Sequence, residues 1–174
     1  MFADDISDFQ IAGMSIGDSA LDYFSEKKIE HNLTNYYDYH PIKDFHSADF
    51  YKQSSFKTYD SVEIFFRVND KQYIIQGLAG AIYYPNNIED CYDKREIIVE
   101  ELRNIFVNAE ITGPETFIHD ADKTGKSNYL GTWFWFERGV SQVACYDWSN
   151  AVTYTDHLLV SIYIKEIDDW LNSY

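Results

Sequence analysis

The sequence predicts an α+β fold, with one domain over residues 1–174. We expect an antiparallel sheet of about five or six strands, with two or three helices packed mainly on one face. Apolar and polar residues alternate over residues 62–68, and a second alternating segment, residues 131–148, contains a turn signal at Gly139. Apolar residues recur at helical spacing over residues 88–107. Strands therefore come in consecutive runs, which is typical of the α+β class.

Each remaining element follows from a local signal. Ser19 and Asp18 are good N-cap residues for a first helix, and Asn86 or Asn87 caps a second one. The tyrosine-rich stretch around Pro41 has no clear periodicity and is interpreted as a long ordered loop. The predicted elements in order are an extended segment (1–16), a helix from Ser19, a loop (32–58), a β-meander (59–84), a helix (88–107), a loop (108–130), a hairpin (131–148), a strand (157–163) and a helix (165–172).

The hairpin at residues 131–148 has two different faces. With a turn at Arg138-Gly139, Trp135 pairs with Gln142 and Phe134 with Val143, and alternate side chains point to opposite faces. One face reads as core and carries Phe134, Phe136, Val143 and Cys145. The other carries Trp133, Trp135, Ala144 and Tyr146.

The tryptophan face leaves two interpretations open. Either a second layer covers it, which is favoured because large apolar surface is usually buried, or it is an exposed aromatic platform. Flat rings at strand spacing stack on sugars or planar groups, or anchor a protein partner. Trp133, Trp135 and Tyr146 are therefore the candidate ligand-binding residues.

The two cysteines are candidates for a disulfide. Cys91 lies on the apolar stripe of the second helix and Cys145 on the predicted core face of the hairpin, so the two are expected to approach each other. Whether they are bonded stays open at this point. An exported protein would allow the bond, whereas the cytosol would keep two buried thiols.

The charge disfavours several classes of partner. The net charge is −15, from 29 acidic and 14 basic residues, and such a field repels nucleic acids and anionic lipid surfaces. It suits a basic protein or a cation, although solubility alone explains it too. The sequence has no run of 18 apolar residues and no phosphate-binding glycine loop, so we predict no membrane span and no cofactor.

Residues 17–21, G-D-S-A-L, resemble the G-D-S-L motif of the SGNH/GDSL hydrolases. The resemblance implies that Ser19 is a nucleophile, which needs a base and oxyanion donors. That family takes its base from a late D-x-x-H motif, whereas here Asp156 and His157 are adjacent. It also has a parallel α/β sheet, which the strand pattern contradicts. The alternative for Ser19 is a helix N-cap.

Residues 120–125, D-A-D-K-T-G, resemble the first half of an EF-hand loop, which implies Asp120 and Asp122 as calcium ligands. Gly131 stands where the twelfth-position glutamate belongs, and no clear helices flank the loop. The alternative is a polar loop whose aspartates cap their own turns. The five histidines show no metal-ligand spacing, so no metal site is predicted.

The opening segment resembles that of small uncharacterised bacterial proteins that are apparently exported. Residues 11–24 fit their pattern I-x-G-x-S-I-G-D-S-x-L-x-Y-F. The resemblance implies a bacterial origin and export but no function. The sequence shows no signal peptide, yet Phe2-Ala3 before two aspartates suits a mature exported protein, so a periplasmic or secreted location is favoured over a cytoplasmic one.

These observations favour a non-enzymatic binding or interaction domain that uses an aromatic or acidic surface. Its partner is an unidentified protein or small ligand, and neither nucleic acid nor membrane is expected. The first alternative is a small serine hydrolase that uses Ser19. The second is an acidic inhibitor that neutralises a basic partner, as immunity proteins do.

Overall fold

A computed structural model describes residues 6–173. The segment Phe2-Ala3, on which part of the export interpretation rests, lies outside the described residues. The strands are β1 (Gln10–Ile11), β2 (Met14–Ser15), β3 (Phe45–Tyr51), β4 (Ser61–Arg67), β5 (Gly77–Tyr83), β6 (Glu110–Ile118), β7 (Asn128–Phe136), β8 (Gly139–Asp147) and β9 (His157–Ile164). The helices are α1 (Glu26–His31), α2 (Ile88–Ile105) and α3 (Lys165–Asn172), with short 3-10 turns at Ile6–Asp8 and Ala20–Asp22.

Seven of the strands form a single antiparallel sheet in the order β3-β4-β5-β9-β8-β7-β6. Strand β9 follows the hairpin in sequence but inserts between β5 and β8, where it pairs with both. It thereby joins the meander and the hairpin into one sheet. β1 and β2 form a separate two-stranded sheet, and the α+β class predicted from the sequence is confirmed.

The sheet is larger than predicted, because β3 and β6 lie in segments that the sequence assigned to loops. Every residue of β3 pairs with a residue of β4, although the residues of β3 show no apolar–polar alternation. β6 is an exposed edge strand interrupted by Gly113-Pro114, and its pairing with β7 shifts between Thr112 and Glu115. Alternation marks a strand only when one face is buried and the other polar, and neither strand meets that condition.

One face of the sheet packs against α2 and is here called the core face. The hydrophobic cluster on it includes Ile64, Leu78, Val143 and Val160, all nearly inaccessible to solvent. Cys91 on α2 and Cys145 on β8 are joined by a disulfide, with an S–S distance of 2.03 Å.

The buried surface of α2 includes a charged residue. Arg95 is fully buried, and its guanidinium donates to the Leu130 carbonyl (3.1 Å) and to the Thr132 hydroxyl on β7. These hydrogen bonds offset the free-energy cost of burying the charged guanidinium. Ile105, the last residue of α2, is 40% exposed.

The opposite face of the sheet is here called the open face. The strand registers place Phe65, Gly77 and Tyr163 on it. α3 lies at one end of this face, where Ile167 and Trp170 form a hydrophobic cluster with Phe45 and Phe65. No helix within residues 6–173 has the length and hydrophobicity of a membrane span.

The hairpin register differs from the predicted one by two residues. Trp133, rather than Trp135, lies opposite Gln142, and the turn residues are Glu137 and Arg138. A shift of two positions leaves every side chain on the same face, so the predicted division between core and tryptophan faces is unchanged.

The disulfide gives the first prediction. Replacing both Cys91 and Cys145 by alanine should lower the free energy of unfolding by about 4 kcal/mol, because the bond closes a long loop in the unfolded chain. Urea denaturation of the oxidised protein and the double variant measures this difference. The reduced wild type should lose comparable stability, and equal stability of all three proteins would contradict the prediction.

Candidate functional site

Small residues form the floor of the open face. Ala79 and Ala81 on β5 lie beside Ser161 and Leu159 on β9, and Ala144 on β8 continues the floor. Larger side chains of the same face cover these positions, since Ser161 and Ala144 are inaccessible to solvent and Ala79 and Ala81 nearly so. Two neighbouring cavities lie among the larger side chains, and together they are here called the groove.

An aromatic row borders one side of the groove, formed by one residue from each of five neighbouring strands. His157 and Tyr146 stack at 4.8 Å between ring centres, and Tyr146 and Tyr129 stack at 5.2 Å. Phe117 stacks on Tyr129 at 5.5 Å. The complete aromatic row is Tyr83, His157, Tyr146, Tyr129 and Phe117.

Trp133 lies over the sheet next to this row. Its ring occupies the space above Gly131, where a Cβ atom would be 2.5 Å from the ring carbon Cη2. Phe117 contacts Trp133 edge-on at 5.7 Å. The glycine thus lets the indole lie on the backbone of its own strand, with the ring partly exposed.

Trp133 lines a cavity of about 490 Å³, here called the tryptophan cavity. Trp135 stands at its border, is 38% exposed, and donates its indole N–H to Thr112 Oγ1 at 2.8 Å. The polar groups around this cavity are Thr112, Glu115, Gln142, Asp168 and Asn172. All three predicted ligand-binding residues, Trp133, Trp135 and Tyr146, line it.

A second cavity, of about 540 Å³, lies on the same face and is here called the acid cavity. Leu159 lines both cavities, so the two are neighbours along the groove. Asp49 and Glu63 lie opposite each other on β3 and β4 and contribute two carboxylates to it. The aromatic side chains that line the acid cavity are Tyr36, Tyr51, Tyr83, Tyr154 and His157.

The environment of the two acids favours their neutral forms. Burial, with a smaller contribution from nearby Asp49, raises the pKa of Glu63 to about 8. Burial also raises the pKa of Asp49, although hydrogen bonds from Tyr51 and Tyr36 oppose this. Glu63 Oε1 and Asp49 Oδ1 are both inaccessible and have no hydrogen-bond partner. Few native side chains leave a buried carboxylate oxygen unsatisfied.

Ser19 serves as an N-cap in the structure. Its Oγ accepts a hydrogen bond from the Leu21 N–H at 3.3 Å and donates its proton to the Gln72 carbonyl at 2.6 Å. His157, the histidine nearest to the base that the hydrolase resemblance implies, is on β9, where its ring stacks on Tyr146 and its Nδ1 lies 2.8 Å from the Thr155 carbonyl oxygen. The hydrogen bonds of the Ser19 hydroxyl join it to backbone groups, as expected of an N-cap.

Asp122 organises a loop instead of facing an open ligand site. Its Oδ1 accepts from the Thr124 N–H and hydroxyl, and its Oδ2 from Ser127 and from the Ser149 hydroxyl at 2.6 Å. These donors, led by Ser149, hold the pKa of Asp122 well below its usual range. Asp120 is exposed. Residues 6–173 contain no cluster of three or more potential metal ligands.

No sequence pattern marks Asp49, Glu63 and the tyrosines around them as a site. Glu63 is a polar position in an alternating strand, and Asp49 lies in a segment that the sequence predicts to be a loop. The available signal was the spacing of Ser47, Asp49 and Tyr51, which places three polar groups on one face if the segment is a strand.

No protein-family model matches the sequence, and no curated protein or solved structure is significantly similar to it. The geometry of the open face is therefore the basis on which a function is proposed.

The hydrogen bonds of Asp122 give a second prediction. Asp122→Asn should lower the melting temperature at pH 7, because an amide nitrogen cannot accept from these donors. A carboxylate whose pKa is lowered by folding contributes its full stabilisation at pH values above its unfolded-state pKa of about 3.9. This contribution is lost as the pH falls from there towards the folded-state pKa. The difference in melting temperature between the wild type and Asp122→Asn should therefore become smaller as the pH falls from 5 to 2.5.

Melting curves followed by circular dichroism across this pH range test the prediction. Asp120→Asn is the matched control, because it removes the neighbouring exposed carboxylate and should change little. A difference for Asp122→Asn that is as large at pH 2.5 as at pH 7 would contradict the assigned role.

Proposed function

We propose that this protein is a non-catalytic binding domain that takes a saccharide in the tryptophan cavity. The observation that carries the proposal is the position of Trp133, whose ring lies over Gly131 on the floor of an open groove. A partly exposed indole in this position offers a flat apolar surface to a ligand. Sugar rings stack on such surfaces through their C–H faces.

The polar groups around Trp133 suit hydroxyl groups. Gln142 and Asn172 each supply amide donors and acceptors, and Thr112 supplies a hydroxyl. Glu115 and Asp168 add carboxylate acceptors, which form strong hydrogen bonds with sugar hydroxyls. An apolar platform with a few convergent polar groups is the usual composition of a small-molecule site.

The charge of the cavity selects among saccharides. Its lining contains two carboxylates and no lysine or arginine. An anionic sugar would meet uncompensated repulsion, which costs affinity. Neutral saccharides are therefore the ligands that the cavity fits best, and they agree with the overall charge of −15.

Two substitutions test the platform separately. Trp133→Ala removes the stacking surface and should weaken binding about tenfold or more. Gly131→Ala keeps the indole but places a methyl group where its ring lies, so the ring must move and affinity should fall as well. Tyr39→Ala is the matched control, since Tyr39 is 67% exposed and lies outside the groove.

Binding is measured by isothermal titration and tryptophan fluorescence with neutral gluco-, manno-, xylo- and chito-oligosaccharides. We expect at least one series to bind the wild type and the Tyr39 variant, with losses for both platform variants. Circular dichroism checks that the variants are folded. The proposal fails if no series binds the wild type, or if Trp133→Ala binds as tightly as the wild type.

A further inference from the structure

The acid cavity has a charge arrangement that the saccharide proposal does not use. Asp49 and Glu63 lie directly opposite each other on neighbouring strands, where opposed side chains are close. Like charges at such positions destabilise a sheet. Neither acid takes part in a salt bridge within residues 6–173.

The surroundings of the pair supply no positive charge either. The cavity lining contains no lysine or arginine. Burial lowers the pKa of His157, so its imidazole is neutral at pH 7. The tyrosines that face Glu63 from other elements, Tyr36, Tyr37 and Tyr163, all have raised pKa values and are neutral as well.

We propose that the acid cavity binds an organic ammonium ion, which pairs with Asp49 and Glu63 and is surrounded by the tyrosine rings. This site is distinct from the tryptophan cavity, and its ligand need not be the saccharide. Both acids line the cavity and each keeps one oxygen without a hydrogen-bond partner, so a cation bound there would offset negative charge that the protein leaves unpaired.

The aromatic lining distinguishes an organic cation from a metal ion. Tyr36, Tyr51, Tyr83 and Tyr154 bring ring surfaces to the same cavity as the carboxylates. Aromatic faces attract alkylammonium groups, and cages of such rings are a common means of binding them. Calcium needs six to eight oxygen ligands, and no suitable cluster of ligands occurs within residues 6–173.

The size of the cavity and the contacts between its polar groups also fit this ligand. A volume of about 540 Å³ accommodates a small alkylammonium ion with its alkyl substituents. The Tyr36 hydroxyl lies 3.2 Å from Asp49 Oδ2 and 3.1 Å from the Tyr51 hydroxyl. These hydrogen bonds orient the rings and one carboxylate before a ligand arrives.

The pH dependence of binding follows from the groups facing the cavity. Glu63, with its pKa of about 8, is mostly protonated at pH 6 and mostly ionised at pH 9. Tetramethylammonium keeps its charge at every pH, so its affinity should rise between pH 6 and pH 9 as Glu63 ionises. Burial raises the pKa values of Tyr36 and Tyr51 and lowers the pKa of His157, so none of these three neighbours changes its charge between pH 7 and pH 9.

To test the proposal, the full chain is titrated with tetramethylammonium and with n-butylammonium. Binding is monitored by calorimetry and by amide chemical shifts. n-Butanol is the neutral control ligand. We expect saturable binding of the ammonium ions alone, with shifts centred on β3, β4 and β5. At pH 9, where Glu63 is mostly ionised, Asp49→Asn and Glu63→Gln should each weaken binding about tenfold, because each removes one of two nearby charges.

Asp93→Asn is the matched control variant, since Asp93 is an exposed acid on α2, outside both cavities. It should bind ammonium like the wild type. Both acid-pair variants are expected to fold, because an amide group has nearly the size of the carboxyl group that it replaces and keeps one acceptor oxygen. If either variant does not fold, Tyr51→Leu is the second test. It removes an exposed ring from the cavity and should lower the affinity for ammonium ions without changing either acid.

Several results would overturn the proposal. These are no binding of either ammonium ion to the wild type, equal binding of n-butanol, unchanged affinity in the acid-pair variants, or an affinity that does not rise with pH. The saccharide proposal is judged separately by Trp133→Ala, which should leave ammonium binding unchanged. A failure of one proposal therefore leaves the other standing.

Discussion

The pairing of β9 with both β5 and β8 is the constraint on which the rest of the structure depends. Without it the meander and the hairpin would be two small sheets, each with exposed edges. With it, the alternation of side chains continues from the meander into the hairpin and is interrupted only in β6, between Thr112 and Glu115. The two pairings of β9 therefore decide which residues of the meander and of the hairpin share a face.

The same pairing explains why two cavities lie side by side. β9 contributes Leu159 between them, His157 to the aromatic row and Tyr163 to the end contacted by α3. The small residues on β5 and β8 are buried beneath larger side chains of the same face. The two cavities lie between those larger side chains.

The sequence predicted the elements that have one buried and one polar face. β4, α2 and the hairpin show clear periodicity, and even a two-residue error in the hairpin register preserved its faces. β3 and β6 were not predicted, because one borders the groove and the other is an exposed edge. The tryptophan platform was recognised as a candidate, but its exposure depends on the absence of a covering layer, which no local pattern specifies. The acid cavity depends on pairing between β3 and β4, and therefore on a strand that was not recognised.

The position of Trp133 over Gly131 has a consequence for the entropy of binding. A large side chain on an open surface usually samples several rotamers, and a ligand that stacks on it must restrict them. Here the indole lies against the backbone of its own strand and against Phe117. The loss of rotamer freedom therefore occurs when the protein folds, and a ligand meets a preorganised surface.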